Sequence, residues 1–330
     1  MQEHLVRGPL FHGGIGNQDA ETVLLRAGYQ PIRLGDEYNF SLLAKLRRML
    51  AARKLLRQLP QGATLVFQWP LYARLHRLLI QRIVTHRPDI KIVCYLTDIN
   101  SIKDLSAIAS LEEIRFFKPL RYFIAHNEAM RNRFMRSRLN SWCSTISFFD
   151  FLTPPVYGER EPGYEICFAG ALDKSGFLRS LPYYPQLHFH LYGPGREQFG
   201  EIANASYQGT FPPHELPALL KGSFGLLWDG EGAEALTGAL GVYARYISPH
   251  KLSLYILAGL PIICHEKSAA AELVHQHGIG FSVPGLSAIA AMIDSLGKET
   301  YDQMRANMRP LADRISTGQC LLGALRDLDC

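Results

Sequence analysis

No apolar run in this chain approaches the ~20 residues of a membrane-spanning helix, and the first residues hold no apolar signal-peptide core. Both absences lead to the expectation of a cytoplasmic protein. Cysteine is sparse: Cys94, Cys143, Cys167, Cys264, Cys320 and Cys330 show no metal-ligand spacing, and three of them lie inside apolar runs. They read as small buried hydrophobes in a reducing compartment. His188 and His190 alternate on one expected strand and His275 and His277 sit near a helix end. No carboxylate or cysteine stands at ligand spacing beside either pair, so no metal is expected. Internal repeats, low-complexity stretches and a Walker lysine are also missing, and no G-x-G-x-x-G follows a clear strand.

What is present is an ordinary soluble composition, 47% hydrophobic and 20% charged over 330 residues, enough for two domains with cores of their own. The net charge of +5 hides a split. Residues 1–160 carry 23 Lys and Arg against 13 Asp and Glu, whereas residues 161–330 carry 12 against 17. Much of the surplus lies in Lys45, Arg47, Arg48, Arg53, Lys54 and Arg57, interleaved with leucines as in an amphipathic basic helix, and in Arg131, Arg133, Arg136 and Arg138. Such a helix is a solvated outer face, a contact for an anionic membrane or lipid-phosphate acceptor, or a nucleic-acid surface. Nucleic acid is the weakest of the three, because no binding motif or interleaved aromatic accompanies the charge.

Apolar runs alternate with helical patterns throughout, which predicts an α/β protein with parallel sheets. In the first half, strands are expected at Ala63–Gln68, Lys91–Leu96, Arg121–Ala125 and Thr145–Phe148, with another near Gln30–Leu34. Helices are expected at Asp19–Ala27, Ser41–Gln58, Tyr72–Thr85 and Asn127–Arg136. The Pro- and Gly-rich stretch Thr153–Gly163 reads as a linker, and the alternation restarts beyond it. Two doubly wound domains, 1–155 and 156–330, would form a cleft between the carboxyl ends of their sheets, where ligands bind in open α/β folds.

The segment Tyr246–Cys264 reads as a helix start followed by a buried strand. Ser248 suits the cap and Pro249 the first helical position, so free backbone N–H groups gather with His250, Lys251 and Ser253 at an end that favours phosphate. A solvated cap is the plain alternative. Lys174, in the turn after the strand ending at Ala169, points to the same cleft, and two lysines suit a diphosphate. Tyr207 offers a ring for a base, and Asp229, after an apolar strand, an acceptor for sugar hydroxyls. Gly232–Arg245 reads as a mobile loop over the site. In the first half, Phe11–Glu21 reads as a glycine-rich loop opening a helix, with Gly14, Gly16 and Asn17 facing the cleft. Asp98 and His126 end strands and are candidate general bases, with Asn127 on the same rim. Helix capping competes with each of these.

Taken together, FAGALDKSGFL (Phe168–Leu178), LYGPG (Leu191–Gly195), YQGTF (Tyr207–Phe211), LLWDG (Leu226–Gly230) and SPHKLSLYILAGLPII (Ser248–Ile263) resemble bacterial GT-B glycosyltransferases. The similarity is to the family of streptococcal glucosyltransferase 3 and the β-1,6-galactofuranosyltransferases of surface polysaccharide assembly. It continues more weakly at IAHNEAM (Ile124–Met130) and FFDFL (Phe148–Leu152).

The resemblance implies two Rossmann-like domains, an acceptor bound mainly by the first, a UDP-sugar bound mainly by the second, and a C-terminal helix free to cross back. Lys251 and Ser253 would hold the pyrophosphate with the helix N-terminus, Lys174 would assist, Tyr207 would pack near the uracil or ribose, and Asp229 would lie near the sugar. No metal or other cofactor is implied. The expected activity is transfer of a glucose- or galactofuranose-type hexose, with inversion, to a glycan, glycoprotein or lipid-linked acceptor. Homo-oligomers and peripheral membrane contact through the basic half accompany that reading. The family often has Asn where Ser248 stands and His where Thr97 stands, which leaves the base open between Asp98 and His126. The rival readings are a non-catalytic nucleotide-sugar-binding partner subunit and a nucleotide-sugar epimerase.

Overall fold

Two parallel sheets organise the chain in a computed structural model that describes residues 14–34, 41–104, 106–136 and 140–330. The first contains β1 (Thr64–Trp69), β2 (Lys91–Leu96), β3 (Tyr122–Ala125) and β4 (Trp142–Thr145) in that order. The second contains β5 (Glu165–Ala169), β6 (His188–Tyr192), β7 (Ala205–Gly209), β8 (Phe224–Leu227), β9 (Ile262–His265) and β10 (Gly280–Val283) in the order β10-β9-β8-β5-β6-β7. All the pairings are parallel. Parallel pairing requires crossovers and covers both faces, which is why most of the strands read as apolar runs without alternation, β6 and β7 at the edge of the second sheet excepted. The order of the second sheet reverses between β5 and β8, so the crevice at their carboxyl ends is the place for a ligand.

The structure departs from the sequence reading in the first half. Residues 30–34 form no strand, although Leu34 is buried. The fourth strand lies at Trp142–Thr145 and not at Thr145–Phe148, because Ser147 takes a φ of 60° and the Phe148 amide folds back onto the Ile146 carbonyl at 2.7 Å. The apolar run that follows is the crossing segment: Phe148, Phe149 and Phe151 join one face of the first sheet to the helix His250–Leu257 and to the C-terminal helices in a shared core. The helix Ala107–Phe117 is absent from the sequence reading, since Ile108, Leu111 and Ile114 are exposed while Glu113 is buried, which blurs the amphipathic period.

Thr153–Gly163 is not a loose tether. Val156 N donates to Leu257 O (2.8 Å), Tyr157 OH to Ile256 O (2.9 Å), and the Arg160 guanidinium to Gly222 O and Leu220 O (2.7 and 2.8 Å). The last helix, Gln319–Arg326, lies against β4 and against the helix Ile15–Arg26. Asp150 accepts from the amides of Cys320 (3.0 Å) and Leu321 (2.8 Å), placing a carboxylate at its N-terminus. Ser144 Oγ donates to Ala324 O near the other end.

Candidate functional site

The helix His250–Leu257 begins in the crevice of the second sheet, and its first turn holds Lys251. Pro249, at φ −71° and ψ 148°, takes the cap position without a side-chain bond. Ser248 does not cap: its Oγ is buried and accepts from Asn127 Nδ2 at 3.0 Å. Lys251 Nζ donates to Trp228 O (3.1 Å) and to Asp229 Oδ1 (2.9 Å), and sits 4.7 Å over the Phe168 ring. A β-carbon placed on Gly170 would come 3.7 Å from the same ammonium. The lysine therefore bridges the ends of β5 and β8, at the reversal of the sheet, with its side chain only 15% exposed. A charge so shielded interacts strongly with any anion entering the crevice.

Ser253 is not on the cleft surface. It is fully buried, and its hydroxyl donates to Phe149 O at 2.6 Å, so it ties the helix to the crossing segment instead of meeting a ligand. His250 is held between the rings of Phe149 (5.9 Å) and Phe151 (4.7 Å). Lys174 is exposed on the short turn Leu172–Lys174 in the loop after β5, which packs against the loop after β6 through Leu172 N to Pro194 O at 2.8 Å. The loops after β5 and β6 meet backbone to backbone: Gly193 has a φ of 126°, and a β-carbon there would come 1.9 Å from Gly170 O. Tyr207 OH donates to Gly193 O (3.2 Å) and shares a hydrogen bond with Thr210 (3.3 Å), while the residue stays 42% exposed. A ring anchored at its hydroxyl and open on its face suits stacking.

The stretch Gly232–Arg245 is more ordered than a mobile loop. Trp228 Nε1 donates to Gly232 O (2.9 Å), Glu231 N donates to Thr237 O (3.2 Å), and the helix Gly238–Tyr243 follows. Tyr243 reaches the first half, where its hydroxyl donates to Asp98 Oδ1 (2.9 Å) and accepts from Ile99 N (3.0 Å). Burial and the neighbouring Asp98 push this phenol far above its usual range, so it remains a donor. The other carboxylate oxygen, Oδ2, takes Lys103 Nζ at 2.8 Å. Burial opposes the Lys103 charge, but Asp98 outweighs it and holds the ammonium above its usual value. Tyr243 and Lys103 thus orient a carboxylate that is still 32% exposed.

His126 and Asn127 take other parts. His126 is 2% exposed, with Nε2 on Thr97 O at 3.1 Å and its ring 4.7 Å from that of Phe149. Burial lowers its pKa to about 4. The ring is neutral and walled in, which fits packing better than base catalysis on a hydroxyl from solvent. Asn127 caps the helix Glu128–Met135 by accepting from Met130 N (3.0 Å), and its amide holds Ser248 across the cleft.

At the start of the chain, Gly14 is the left-handed cap of the helix Ile15–Arg26 at φ 93°, and Asn17 O accepts from Gln68 Nε2 (3.0 Å). Gly16 is in close contact, since a β-carbon there would come 3.2 Å from His250 Cδ2 and 3.3 Å from Phe149 Cδ1. Residues 11–13 of the expected glycine-rich loop lie outside the described residues. The structure therefore brings Gly16 to His250, Asp98 to Tyr243 and Asn127 to Ser248, each pair joining the two halves. Tyr243 and Lys103 are additions that no motif announced.

Residues 12–142 match the N-terminal domain of the glucosyltransferase 3-like family, and residues 166–328 match its C-terminal domain. The β-1,6-galactofuranosyltransferase WbbI of Escherichia coli K12 is 27% identical over 268 residues, covering 79% of this chain and 75% of that protein. Glucosyltransferase 3 of Streptococcus gordonii is 31% identical over 155 residues, covering 47% of this chain and 45% of that protein. HepE of Anabaena, solved in complex with UDP and glucose, superposes with a TM-score of 0.62 at 13% identity, covering 100% of this chain and 98% of that one. Sucrose-phosphate synthase of Thermosynechococcus elongatus gives 0.60 at 12% identity over 97% and 94% of the two chains. These neighbours have the GT-B fold, two facing Rossmann-like units, and the two parallel sheets here are arranged as that fold requires. The chain is accordingly a glycosyltransferase and belongs to the glucosyltransferase 3-like family.

Proposed function

We propose that this enzyme transfers a hexose from a UDP-sugar to a hydroxyl of a glycan, glycoprotein or lipid-linked acceptor in bacterial surface polysaccharide or glycoprotein synthesis, without a divalent metal and with inversion. The observation that carries the reading is Lys251, held beside a helix N-terminus at the reversal of the second sheet and paired with Asp229. The diphosphate displaces Asp229 as the partner of Lys251, and the freed carboxylate accepts from sugar hydroxyls. Lys174 approaches the diphosphate from the loop after β5, and Tyr207 packs on the base. The acceptor hydroxyl loses its proton to Asp98 and attacks the anomeric carbon. The bond from that carbon to the UDP oxygen breaks, and Lys251 with the first-turn amides stabilises the departing charge. The names of the relatives, a galactofuranosyltransferase and a glucosyltransferase, and the UDP and glucose bound to HepE support this choice of donor.

The test is a thermal-shift panel of UDP, GDP, TDP and CMP, with and without EDTA, on wild type and Lys251→Ala, together with turnover of UDP-sugars. Stabilisation by UDP that survives EDTA and is lost in the variant is expected, with turnover down by about a hundredfold or more. Unchanged turnover in Lys251→Ala would sink the assignment. A non-catalytic donor-binding subunit is the second reading, favoured by the engagement of both Asp98 oxygens. Donor binding without product on any acceptor would select it.

The basic helix Leu42–Gln58 is part of the same proposal. Its sequence, LLAKLRRMLAARKLLRQ, has no acidic residue, Ala52 is its buried position, and Leu42, Leu43, Leu46 and Leu50 stand exposed among the cations. Leucines facing water between lysines and arginines suit the surface of an anionic membrane, where a lipid-linked acceptor resides.

A further inference from the structure

On the sequence alone His188 and His190 have no carboxylate within ligand spacing, but the register of the second sheet supplies one. Strands β5 and β6 pair with Glu165 opposite His188. Alternation along β6 sends Phe189 into the core, fully buried, and turns both histidines to the other face. His190 Nε2 stands 2.5 Å from Glu165 Oε2, and the two imidazoles are 5.1 Å apart by ring centres. One ring nitrogen of each histidine and one Glu165 oxygen all lie within 4.8 Å of one another.

The neighbouring strand β7 completes the surroundings. Ser206 Oγ is 2.9 Å from His188 Nε2, and the Gln208 side-chain amide is 3.4 Å from His190 Nδ1. With the amide turned so that its oxygen faces the ring, Gln208 accepts a hydrogen bond from Nδ1–H, which leaves Nε2 available to a metal ion between it and Glu165.

We propose that Glu165, His188 and His190 bind a zinc ion on the face of the second sheet that also carries Cys167 and Tyr192, with water as the fourth ligand. Two imidazoles and one carboxylate form a set suited to tetrahedral Zn²⁺, whereas Mg²⁺ and Ca²⁺ require oxygen ligands throughout. Two histidines two apart on one strand, with the third ligand on the next strand, need no loop to organise them. Closing the site requires a rotation of Glu165, half exposed, so that its 2.5 Å contact opens to the ~3.3 Å between ligands bound at zinc distances.

The site is in the first half of β5 and β6, about 7–13 Å along the strands from their carboxyl ends, where the nucleotide cleft lies. Zinc there staples two strands of the donor-binding sheet without touching the donor. Metal dependence of stability and metal independence of transfer are then separate properties, and EDTA would alter the first alone.

The experiment uses the full chain, stripped with EDTA and dialysed, then titrated with Zn²⁺ against a chromophoric chelator while melting is followed with Zn²⁺ or Mg²⁺. One zinc per chain and a rise in melting temperature with Zn²⁺ but not Mg²⁺ are expected. His190→Gln and Glu165→Gln should each weaken binding by roughly tenfold or more, and both variants should keep the wild-type UDP-induced shift, which shows that they are folded. No stoichiometric uptake by the stripped chain, equal uptake by the variants, or an equal response to Mg²⁺ would overturn the site.

Discussion

The Tyr243 hydroxyl donates to Asp98 Oδ1 at 2.9 Å, and in this contact the second half of the chain holds a carboxylate of the first. The same oxygen accepts from Ile99 N at 3.0 Å, so the phenol joins the end of β2 to the helix Gly238–Tyr243 by two bonds. Removal of the hydroxyl in Tyr243→Phe frees Asp98 to rotate toward Lys103 and leaves a buried amide unpaired. A charge-assisted bond of this kind is worth about 2 kcal/mol. Transfer to acceptor should fall by roughly ten- to thirtyfold while UDP affinity, measured by calorimetry, stays within twofold of wild type. Equal losses in both would show that Tyr243 supports the fold and not the carboxylate.

Gly193 permits no side chain. A φ of 126° is a conformation that L residues rarely adopt, and the missing β-carbon would lie 1.9 Å from Gly170 O. Gly193→Ala must move the loops after β5 and β6 apart, at a cost of about 2–4 kcal/mol. Urea unfolding should show that loss, together with weaker UDP binding, because Gly170 flanks Lys251. Gly200→Ala is the control, since a β-carbon there meets nothing within 4 Å. Equal stability of the two variants would contradict the close approach.

The second half was legible in the sequence because its signals are local. A glycine after an apolar run marks a strand end, and Pro-His-Lys before an apolar stretch marks a helix start, so Lys251 and Asp229 each read as cleft residues, and the structure pairs them although 22 residues separate them. The misread residues are those whose partners lie far along the chain. Ser248 and Ser253 suit a cap and an anion site by position, but Asn127 and Phe149 take their hydroxyls. Tyr243 has no local pattern that reveals Asp98, and Glu165 meets His190 through strand register alone. The run Ile146–Leu152 is as apolar as a strand because it is buried as deeply as one, between the two sheets.

Acid affects two buried groups in opposite senses. The pKa of His126 falls to about 4 through burial, so the stability it contributes is complete above its ordinary value near 6.5 and is lost as pH falls through 4. Burial raises Asp150 to about 6, so its contribution is complete below its ordinary value near 3.8 and is lost as pH rises through 6. Each shift amounts to about 3 kcal/mol, and the wild-type slope between pH 4 and 6 is the difference of two larger ones. His126→Asn should gain on wild type as pH falls from 6.5 to 4, and Asp150→Asn should gain as pH rises from 4 to 6. Urea unfolding at intervals of one pH unit reads both, and parallel curves for wild type and variants would contradict the assignments.

The exposed leucines of Leu42–Gln58 make the membrane contact testable. Leu42 is 84% exposed and Leu50 52%, whereas Leu55 and Leu56 pack against the core of the first sheet, which fixes the face of the helix that looks outward. Arg87 caps the far end by donating to Leu56 O (3.1 Å) and Leu59 O (3.0 Å), so the helix is held to the body of the domain. Near an anionic surface each of the six cations is worth about 1 kcal/mol, and the leucines add apolar burial. Sedimentation with vesicles containing phosphatidylglycerol should retain the wild type and release it at high salt, while pure phosphatidylcholine vesicles leave it in solution. Replacing Leu42, Leu46 and Leu50 with Ser should lower vesicle binding by roughly tenfold or more and leave transfer to a soluble acceptor unchanged. Equal binding to both lipids would remove the role of the six cations, and a wild-type dimer by light scattering that the Ser variant loses would assign this face to another copy of the chain instead of the membrane.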